Sequence, residues 1–258
     1  MNALQIAATG MLAQQYNTEV VANNLANMNT SGFQRRRAEF ADLIYRNYER
    51  GPKAGSKAGE LVPGNVESGH GVRIGSIYRI SEQGSLVQTS NTFDIAIQGR
   101  GYFQVLLPNG DLAYTRDGSF QLDGTGQLVT ENGLSLQPGI IIPQGATEVT
   151  INPSGEVLVT GGNGDETVNV GSLQIANFLN EGGLEAFGYN LFRATEASGE
   201  PLIDKPLSPG FGALTQGFLE ASNVDPISEI AALIAAQRAY EMNSKVVQTV
   251  DHMMAPAK

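Results

Sequence analysis

The 258-residue chain has no Cys, no Trp and only two His. Without thiols there is no disulfide framework, no cysteinyl zinc site and no thiol nucleophile. His70 and His252 stand far apart in sequence, which leaves no His-rich metal site. Long apolar runs are also missing: Gln5, Gln14, Gln15, Asn17, Glu19, Asn23 and Asn24 interrupt the N-terminal stretch, so it cannot cross a membrane. The same stretch lacks the basic opening of a cleaved secretory signal, so the expectation is a cytosolic protein or one exported without cleavage. Basic residues are scarce in the middle of the chain, where residues 61–220 carry 17 acidic side chains against 6 basic ones. That region offers no cationic track for phosphates, so no nucleic-acid partner is expected. The one dense basic run, Arg35-Arg36-Arg37, reads as a solvated surface turn. The 31 Gly follow no G-X-Y period, which excludes collagen.

What is present is a globular composition, 41% hydrophobic and 7% aromatic, long enough for one or two domains with a buried core. Residues 3–27 are rich in Ala, Leu, Gln and Met and free of Pro, which is helical composition, with Gly10 as a weak point. At 100° per residue Leu4, Ile6, Met11, Leu12, Tyr16, Val20, Val21, Leu25 and Met28 fall on every side of the wheel. Such a helix must be buried all round. The turn formers Asn29-Thr30-Ser31-Gly32 end it.

Residues 225–254 predict a second helix. Asp225 can accept from its first free N–H groups, Pro226 sits where no N–H is needed, and Glu229 favours the positive end. Pro256 is the stop signal. The apolar stripe begins on one side with Ile227, Ile230, Leu233 and Ile234. It continues on nearly the opposite side with Tyr240, Val246, Val247, Val250 and Met254, so this helix needs more than one apolar neighbour.

Between them the chain reads as β. Apolar pairs alternate with polar residues at Ile95/Ile97, Phe103/Val105/Leu107, Leu112/Tyr114, Phe120/Leu122, Ile140/Ile142, Val149/Ile151, Val157/Val159, Val168/Val170 and Leu173/Ile175. Turn formers punctuate them at Pro108-Asn109-Gly110-Asp111, Asp123-Gly124-Thr125-Gly126, Asn132-Gly133, Pro153-Ser154-Gly155 and Gly161-Gly162-Asn163-Gly164-Asp165. This spacing implies an antiparallel sandwich or barrel. Residues 50–71, rich in Gly, Lys, Pro and Ser, read as a loop or extended arm.

The fold class expected is therefore α+β, with long terminal helices packing as a coiled-coil-like pair, a central antiparallel β-rich domain and an extended arm between. The expected segments are 1–32 for the first helix, 33–70 for the arm, 71–222 for the β-rich domain and 223–258 for the last helix. Neither helix can bury its apolar surface alone. Both could sit inside one α+β core, or both could be buried between copies in a polymer. The near absence of charge in residues 1–34 favours the polymer.

The residues at the two ends carry a resemblance. Ala22-Asn23-Asn24-Leu25-Ala26-Asn27-Met28-Asn29-Thr30-Ser31-Gly32-Phe33 is similar to the N-terminal signature of the bacterial flagellar rod and hook proteins, apart from Gln34 where a basic residue is usual. Glu220-Ala221-Ser222-Asn223-Val224-Asp225 and Gln237-Arg238-Ala239-Tyr240-Glu241-Met242-Asn243-Ser244-Lys245 resemble the C-terminal signature of that family. Asp94-Ile95-Ala96-Ile97-Gln98-Gly99-Arg100-Gly101-Tyr102-Phe103 and Tyr114-Thr115-Arg116-Asp117-Gly118-Ser119-Phe120 resemble its central part. Length, the lack of a further inserted domain and the stretch at 45–65 fit a distal rod subunit best.

The resemblance implies a helical homopolymer in which the terminal helices line an export channel and the β-rich domain forms the outer layer. It implies subunit packing through Leu4, Met11, Leu12, Val21, Asn23, Asn24, Leu25, Asn27, Gly32 and Phe33. From the last helix it implies Ile230, Ile234, Gln237, Arg238, Tyr240, Asn243, Val247 and Val250. Asn23, Asn24, Asn27 and Asn29 can satisfy neighbours' polar groups without bringing in charge, or can face solvent and end the helix. Arg238 and Glu241 can bridge subunits or form a weak surface pair. A rod-stiffening segment would include Tyr45, Tyr48, Pro52, Leu61 and Pro63. The implied partners are the chain itself, proximal rod proteins, the hook protein, surrounding flagellar ring proteins and the export apparatus. The implied place is the rod that spans the periplasm within the basal body, reached without a cleaved signal. The terminal helices would be ordered only on assembly, because ordering costs about 1–2 kcal/mol per residue with no burial to offset it.

No enzyme, cofactor or small-molecule substrate is expected. Gly99-x-Gly101 is too short for a dinucleotide loop, and Asp123-Gly124 and Asn163-Gly164-Asp165-Glu166 lack the ligand spacing of a calcium loop. Asp117 and Asp123 do not stand out from surface acids as a glycosidase pair. The alternatives are another axial subunit, from the proximal rod or hook, or a secreted β-rich carbohydrate-binding protein, against which the lack of Trp argues.

Overall fold

A computed structural model describes residues 2–44, 46–48, 66–161 and 167–254. Two helices and a β-rich middle make the α+β class expected from the sequence. Helix α1 is Asn2–Ala26 and helix α2 is Pro226–Met254. The start of α2 stands where Pro226 placed it, and the stop residue Pro256 lies outside the described residues. Neither described helix is long and apolar enough to cross a membrane.

Backbone contacts divide the chain into two compact units. The first comprises residues 1–25, 36–78 and 226–258. Besides the helices it holds β1 (Arg36–Asp42), β2 (Arg46–Tyr48), β3 (Val66–Ser68) and most of β4 (Val72–Arg79). β1 pairs with β4, and β2 pairs antiparallel with β3. Arg36 and Arg37 therefore stand on a strand, which corrects the surface turn expected for the basic run. The alternation of Arg37 and Glu39 with Ala38 and Phe40 is too short, and too charged, to give a strand signal. Most of the 50–71 arm, with Tyr45, Pro52, Leu61 and Pro63, lies outside the described residues. The Tyr48 backbone lies on β2.

The second unit comprises residues 26–35 and 79–225. Its first strands are β5 (Leu86–Gln88), β6 (Ile95–Gln98), β7 (Tyr102–Leu106), β8 (Leu112–Thr115), β9 (Phe120–Leu122), β10 (Leu128–Thr130) and β11 (Ser135–Gln137). Then come β12 (Ala146–Ile151), β13 (Glu156–Gly161), β14 (Thr167–Ser172), β15 (Ile175–Asn177), β16 (Glu185–Gly188) and β17 (Leu191–Arg193). β18 (Leu202–Asp204), β19 (Ala213–Gln216) and β20 (Phe218–Glu220) finish it. The main sheet runs β16-β17-β8-β7-β11-β10-β9, with β15 also on β7 and β18 outside it. β12-β13-β14 form a separate meander, and β19 pairs with β6 and β20 with β5. The defined pairings are antiparallel. Hairpin turns fall at the expected formers between β7 and β8, β9 and β10, β10 and β11, and β12 and β13. The apolar pair Ile140/Ile142 is buried but forms no strand. Ile141 makes only an isolated bridge to Gln127, because core packing without ladder bonds also selects alternating apolar residues.

β7 is buried on both faces. Phe103 and Val105 point into the large core with Ile95, Phe120, Leu128 and Val157, and the Phe103 and Phe120 rings meet edge-on at 5.0 Å. Tyr102 points the other way, into a smaller cluster with Tyr114, Phe178 and Phe192.

Candidate assembly interface

In the first unit α1 and α2 lie side by side. The Asn24 amide donates to Glu229 Oε2 at 3.2 Å. Fourteen residues earlier in α1, Gly10 lies against Asn243, fourteen residues later in α2: a Cβ on Gly10 would stand 2.9 Å from Asn243 Nδ2. Equal spans in opposite directions make the pair antiparallel and keep it in step over about 21 Å. Fourteen residues are two heptads, the repeat that holds one seam facing a partner helix. The missing side chain of Gly10 permits this approach; of the other small residues, Ala7 and Ala13 on α1 and Ala236 on α2 are buried.

The junction at Asn24 uses that side chain fully. Its Nδ2 also donates to the Arg36 carbonyl at 2.8 Å, and its Oδ1 accepts from the Arg36 N–H at 2.9 Å. Asn24 is thus buried and hydrogen-bonded inside its own chain, as Val21 is buried inside it. Leu4, Met11, Leu25, Asn243, Val247 and Val250 are half-buried. Asn23, Gln237 and Arg238 are exposed, and so are the large apolar Leu12 at 53%, Ile230 at 46%, Ile234 at 45% and Tyr240 at 45%. The pair therefore leaves apolar surface on the outer sides of both helices, where Tyr16, Ile227, Met242 and Val246 are exposed too.

In the second unit the resemblance motifs meet. Glu220 and Arg116 are both buried, with 3.0 Å between Oε2 and Nε. The Arg116 guanidinium also donates to the carbonyls of Gly99 and Gly101 at 2.9 and 2.6 Å. Glu220 Oε1 accepts from the Gly84 N–H at 3.1 Å, and its carbonyl accepts from the Gly32 N–H at 2.8 Å. Gly32 has φ +66°, and a Cβ there would stand 2.7 Å from the Asp117 nitrogen, so only Gly fits. Asn223 adds a second tie: its Oδ1 accepts from the Arg35 N–H at 2.7 Å and its Nδ2 donates to the carbonyls of Ile80 and Glu82. The segment after α1 is thus stitched to the segment before α2. Half-buried Phe33 lies within this stitch, its carbonyl accepting from the Asn223 N–H at 3.3 Å; half-buried Asn27 accepts from Thr30. Sequence reasoning placed Glu220 and Arg116 in motifs but gave no sign that they pair, since nothing local links positions so far apart.

The acids of this unit serve turns. Asp117 Oδ1 accepts from Ser119 N and Oγ at 3.1 and 2.9 Å, and burial raises its pKa. Asp123 Oδ1 accepts from Thr125 and Gln127, and those hydrogen bonds lower its pKa. Burial, with help from the Glu181 charge, pushes the Tyr102 phenol up to about 12. Among the described residues no cluster of three His, Cys, Asp or Glu could hold a metal ion.

Three family patterns match the chain. Residues 4–34 match the flagella basal body rod protein pattern, residues 96–159 the flagellar hook protein FlgE/F/G D1 domain, and residues 215–257 the flagellar basal body rod FlgEFG protein C-terminal pattern. The chain is 56% identical over 254 residues to flagellar basal-body rod protein FlgG of Caulobacter vibrioides, covering 98% of this chain and 97% of that one. It is 47% identical to the FlgG of Agrobacterium fabrum over the same share of each chain. Against the FlgG of Borreliella burgdorferi it is 46% identical over 100% of this chain and 97% of the other.

Proposed function

The chain belongs to the FlgE/F/G family of flagellar rod and hook proteins and is a structural subunit of the basal-body rod; on that premise we propose that it self-assembles into the rigid distal rod. The observation that carries this reading is the uncovered apolar surface of α1 and α2. Leu12 and Tyr16 on one helix, and Ile230, Ile234, Tyr240 and Met242 on the other, are 41% or more exposed. A few such side chains are ordinary, but six large exposed ones on two adjoining helices mark a protein interface. Identical neighbours supply the missing walls, and repetition of one contact that does not close on itself gives a helical tube.

In this reading the helix pairs form the inner layer around an export channel, and the β-rich unit forms the outer layer. The segment at 45–65 is the part of the chain assigned to stiffening the tube. The rod carries motor torque to the hook, touches proximal rod proteins, the hook protein and surrounding rings, and arrives through the flagellar export apparatus without signal cleavage. It acts by stiffness and does no chemistry.

A concentration series by light scattering, with helicity and electron microscopy in parallel, tests this. Straight filaments are expected above a threshold concentration, with α-helical signal rising as particles form. Curved filaments count against the distal rod, and a chain that stays monomeric at every concentration refutes self-assembly. Deleting 46–63 is expected to soften or bend the filaments; an unchanged straight rod removes the stiffening role.

A further inference from the structure

All six Met lie at the two ends of the chain, at 1, 11, 28, 242, 253 and 254, and none falls between residues 29 and 241. The β-rich core is built without one. Cys and Trp, the other readily oxidised side chains, are absent, so thioether chemistry is confined to the chain ends that carry α1 and α2. On α2 these side chains are not packed away. Met242 is 61%, Met253 73% and Met254 51% exposed, whereas Met11 on α1 is half-buried. Met242, Val246 and Met253 are spaced four and seven residues apart, which places them within about 40° of one another on one face of the helix. The neighbouring Asn243 faces Gly10 of α1, so this stripe lies on the flank of the helix pair and not in its seam. It belongs to the uncovered apolar surface on which the self-assembly reading rests.

Two properties of the thioether meet there. Unbranched and polarisable, it fills irregular gaps, which suits a surface that neighbouring copies must cover. A peroxide also converts it to a sulfoxide, a polar group that adds no charge but needs a hydrogen-bond partner when buried. On a free subunit water supplies that partner, and under an apolar neighbour nothing does.

We propose that Met242 and Met253 form an oxidation-sensitive latch: peroxide acting on a free subunit converts their thioethers to sulfoxides and bars that subunit from the growing tube, and a methionine sulfoxide reductase readmits it. The sulfur lone pair attacks one oxygen of hydrogen peroxide, and the O–O bond breaks as the S–O bond forms. The sulfur gives up two electrons. The other oxygen leaves as hydroxide, which takes the proton from the sulfur-bound oxygen and becomes water. In the reverse direction two thiols supply the two electrons, and the oxygen leaves as water. In an assembled tube the same sulfurs are covered and react slowly. The inference rests on the self-assembly reading and adds to it a chemical control of that same surface.

The test uses the full chain. Monomer is exposed to hydrogen peroxide, the peroxide is removed, and peptide mass spectrometry reads the sulfoxide at each Met. Met242 and Met253 are expected to oxidise ahead of Met11, with the near-ultraviolet circular dichroism of the β-rich unit unchanged. The threshold concentration for filaments is expected to rise about tenfold or more, since the sulfoxides would be buried without partners. A methionine sulfoxide reductase with dithiothreitol is expected to bring it back to the starting value. Met242→Gln is expected to raise the threshold without peroxide, and Met242→Leu/Met253→Leu is expected to keep its own threshold after peroxide. Filaments formed beforehand are expected to retain unmodified Met242. Folded protein with both sulfoxides that assembles at the unoxidised threshold overturns the latch while leaving self-assembly intact. A Leu variant that loses assembly to peroxide as the wild type does overturns it too. Unoxidised protein that stays monomeric at every concentration overturns both readings.

Discussion

Replacing Glu220 by Gln probes the polar knot of the β-rich unit with almost no change of shape. The amide oxygen can still accept from Gly84, and the Gly32 N–H still meets the backbone carbonyl. What is lost is the negative charge 3.0 Å from Arg116 Nε, in a site where both side chains are no more than 5% exposed. Desolvating a guanidinium costs several kcal/mol, and here the carboxylate, two carbonyl oxygens and the Tyr102 ring, 5.7 Å from the guanidinium carbon, offset it. Removing one partner of such a pair costs about 3–5 kcal/mol. At about 2–4 °C per kcal/mol for a unit of this size, the melting temperature should fall by about 6–20 °C.

The assay is urea and thermal unfolding followed by near-ultraviolet circular dichroism of the tyrosines, since the chain has no Trp. Arg116→Met alone should cost a similar amount by stranding the Glu220 carboxylate. The double variant Arg116→Met/Glu220→Leu should be far less damaged than the two losses added together, because no buried charge remains. Two results refute the reasoning: a Glu220→Gln loss below about 1 kcal/mol, or single losses that simply add in the double variant. Either would mean that water already solvates the pair and that it does not organise the unit.

Three further outcomes follow from named contacts. Leu12→Asp, at an exposed site, should cost the monomer under about 1 kcal/mol yet block filaments, whereas Val21→Asp, at a buried site, should unfold the helix pair itself; helicity and light scattering separate the two, and normal filaments from Leu12→Asp contradict the buried placement. The Asp117 pKa is raised above its ordinary 3.8, so the folded state binds the extra proton between those two values; stability should fall as pH rises through that window, and Asp117→Asn should flatten the slope in pH-dependent urea midpoints. Gly32→Ala should lower the β-unit midpoint by at least about 1–2 kcal/mol, since the left-handed backbone and the nearby Asp117 nitrogen both reject a Cβ; an unchanged midpoint contradicts that fit.

The helices and most hairpins were legible in the sequence because their signals are local. Asp225-Pro226 and Glu229 mark a helix start whatever lies around them, and Asn109-Gly110 or Asn132-Gly133 turn a hairpin from within. The basic run was misread because β1 is a strand by virtue of β4, which is far away in sequence and carries no matching period. Ile140 and Ile142 showed the right period for the wrong reason, being core residues without a ladder. The seam between the helices was hidden for a different cause: the large apolar residues dominate the helical wheel, but the close approach to Asn243 is at Gly10, whose small size is the point. Asn24 stood out as a neutral polar group on an apolar helix, yet its partners Arg36 and Glu229 come from two other elements.

The motifs that looked like separate signatures act as one physical object in the β-rich unit. Gly32 belongs to the first, Gly99 and Gly101 to the second, Arg116 to the third and Glu220 to the fourth; hydrogen bonds or charge join Gly99 and Gly101 to Arg116, Arg116 to Glu220, and Glu220 to Gly32. A polar knot of this kind is a poor source of net stability, since well-packed apolar residues would serve as well or better. What it provides is uniqueness: every group must find its partner, so the segment leaving α1 and the segment leading into α2 can be held in one arrangement only. A subunit repeated along a tube needs that property more than it needs extra stability, because an angular error between its two chain ends would be multiplied at each added copy. The apolar double variant at Arg116 and Glu220 separates these two demands. It should stay folded in isolation and yet build irregular filaments, and regular filaments from it would reduce the knot to an accident of packing.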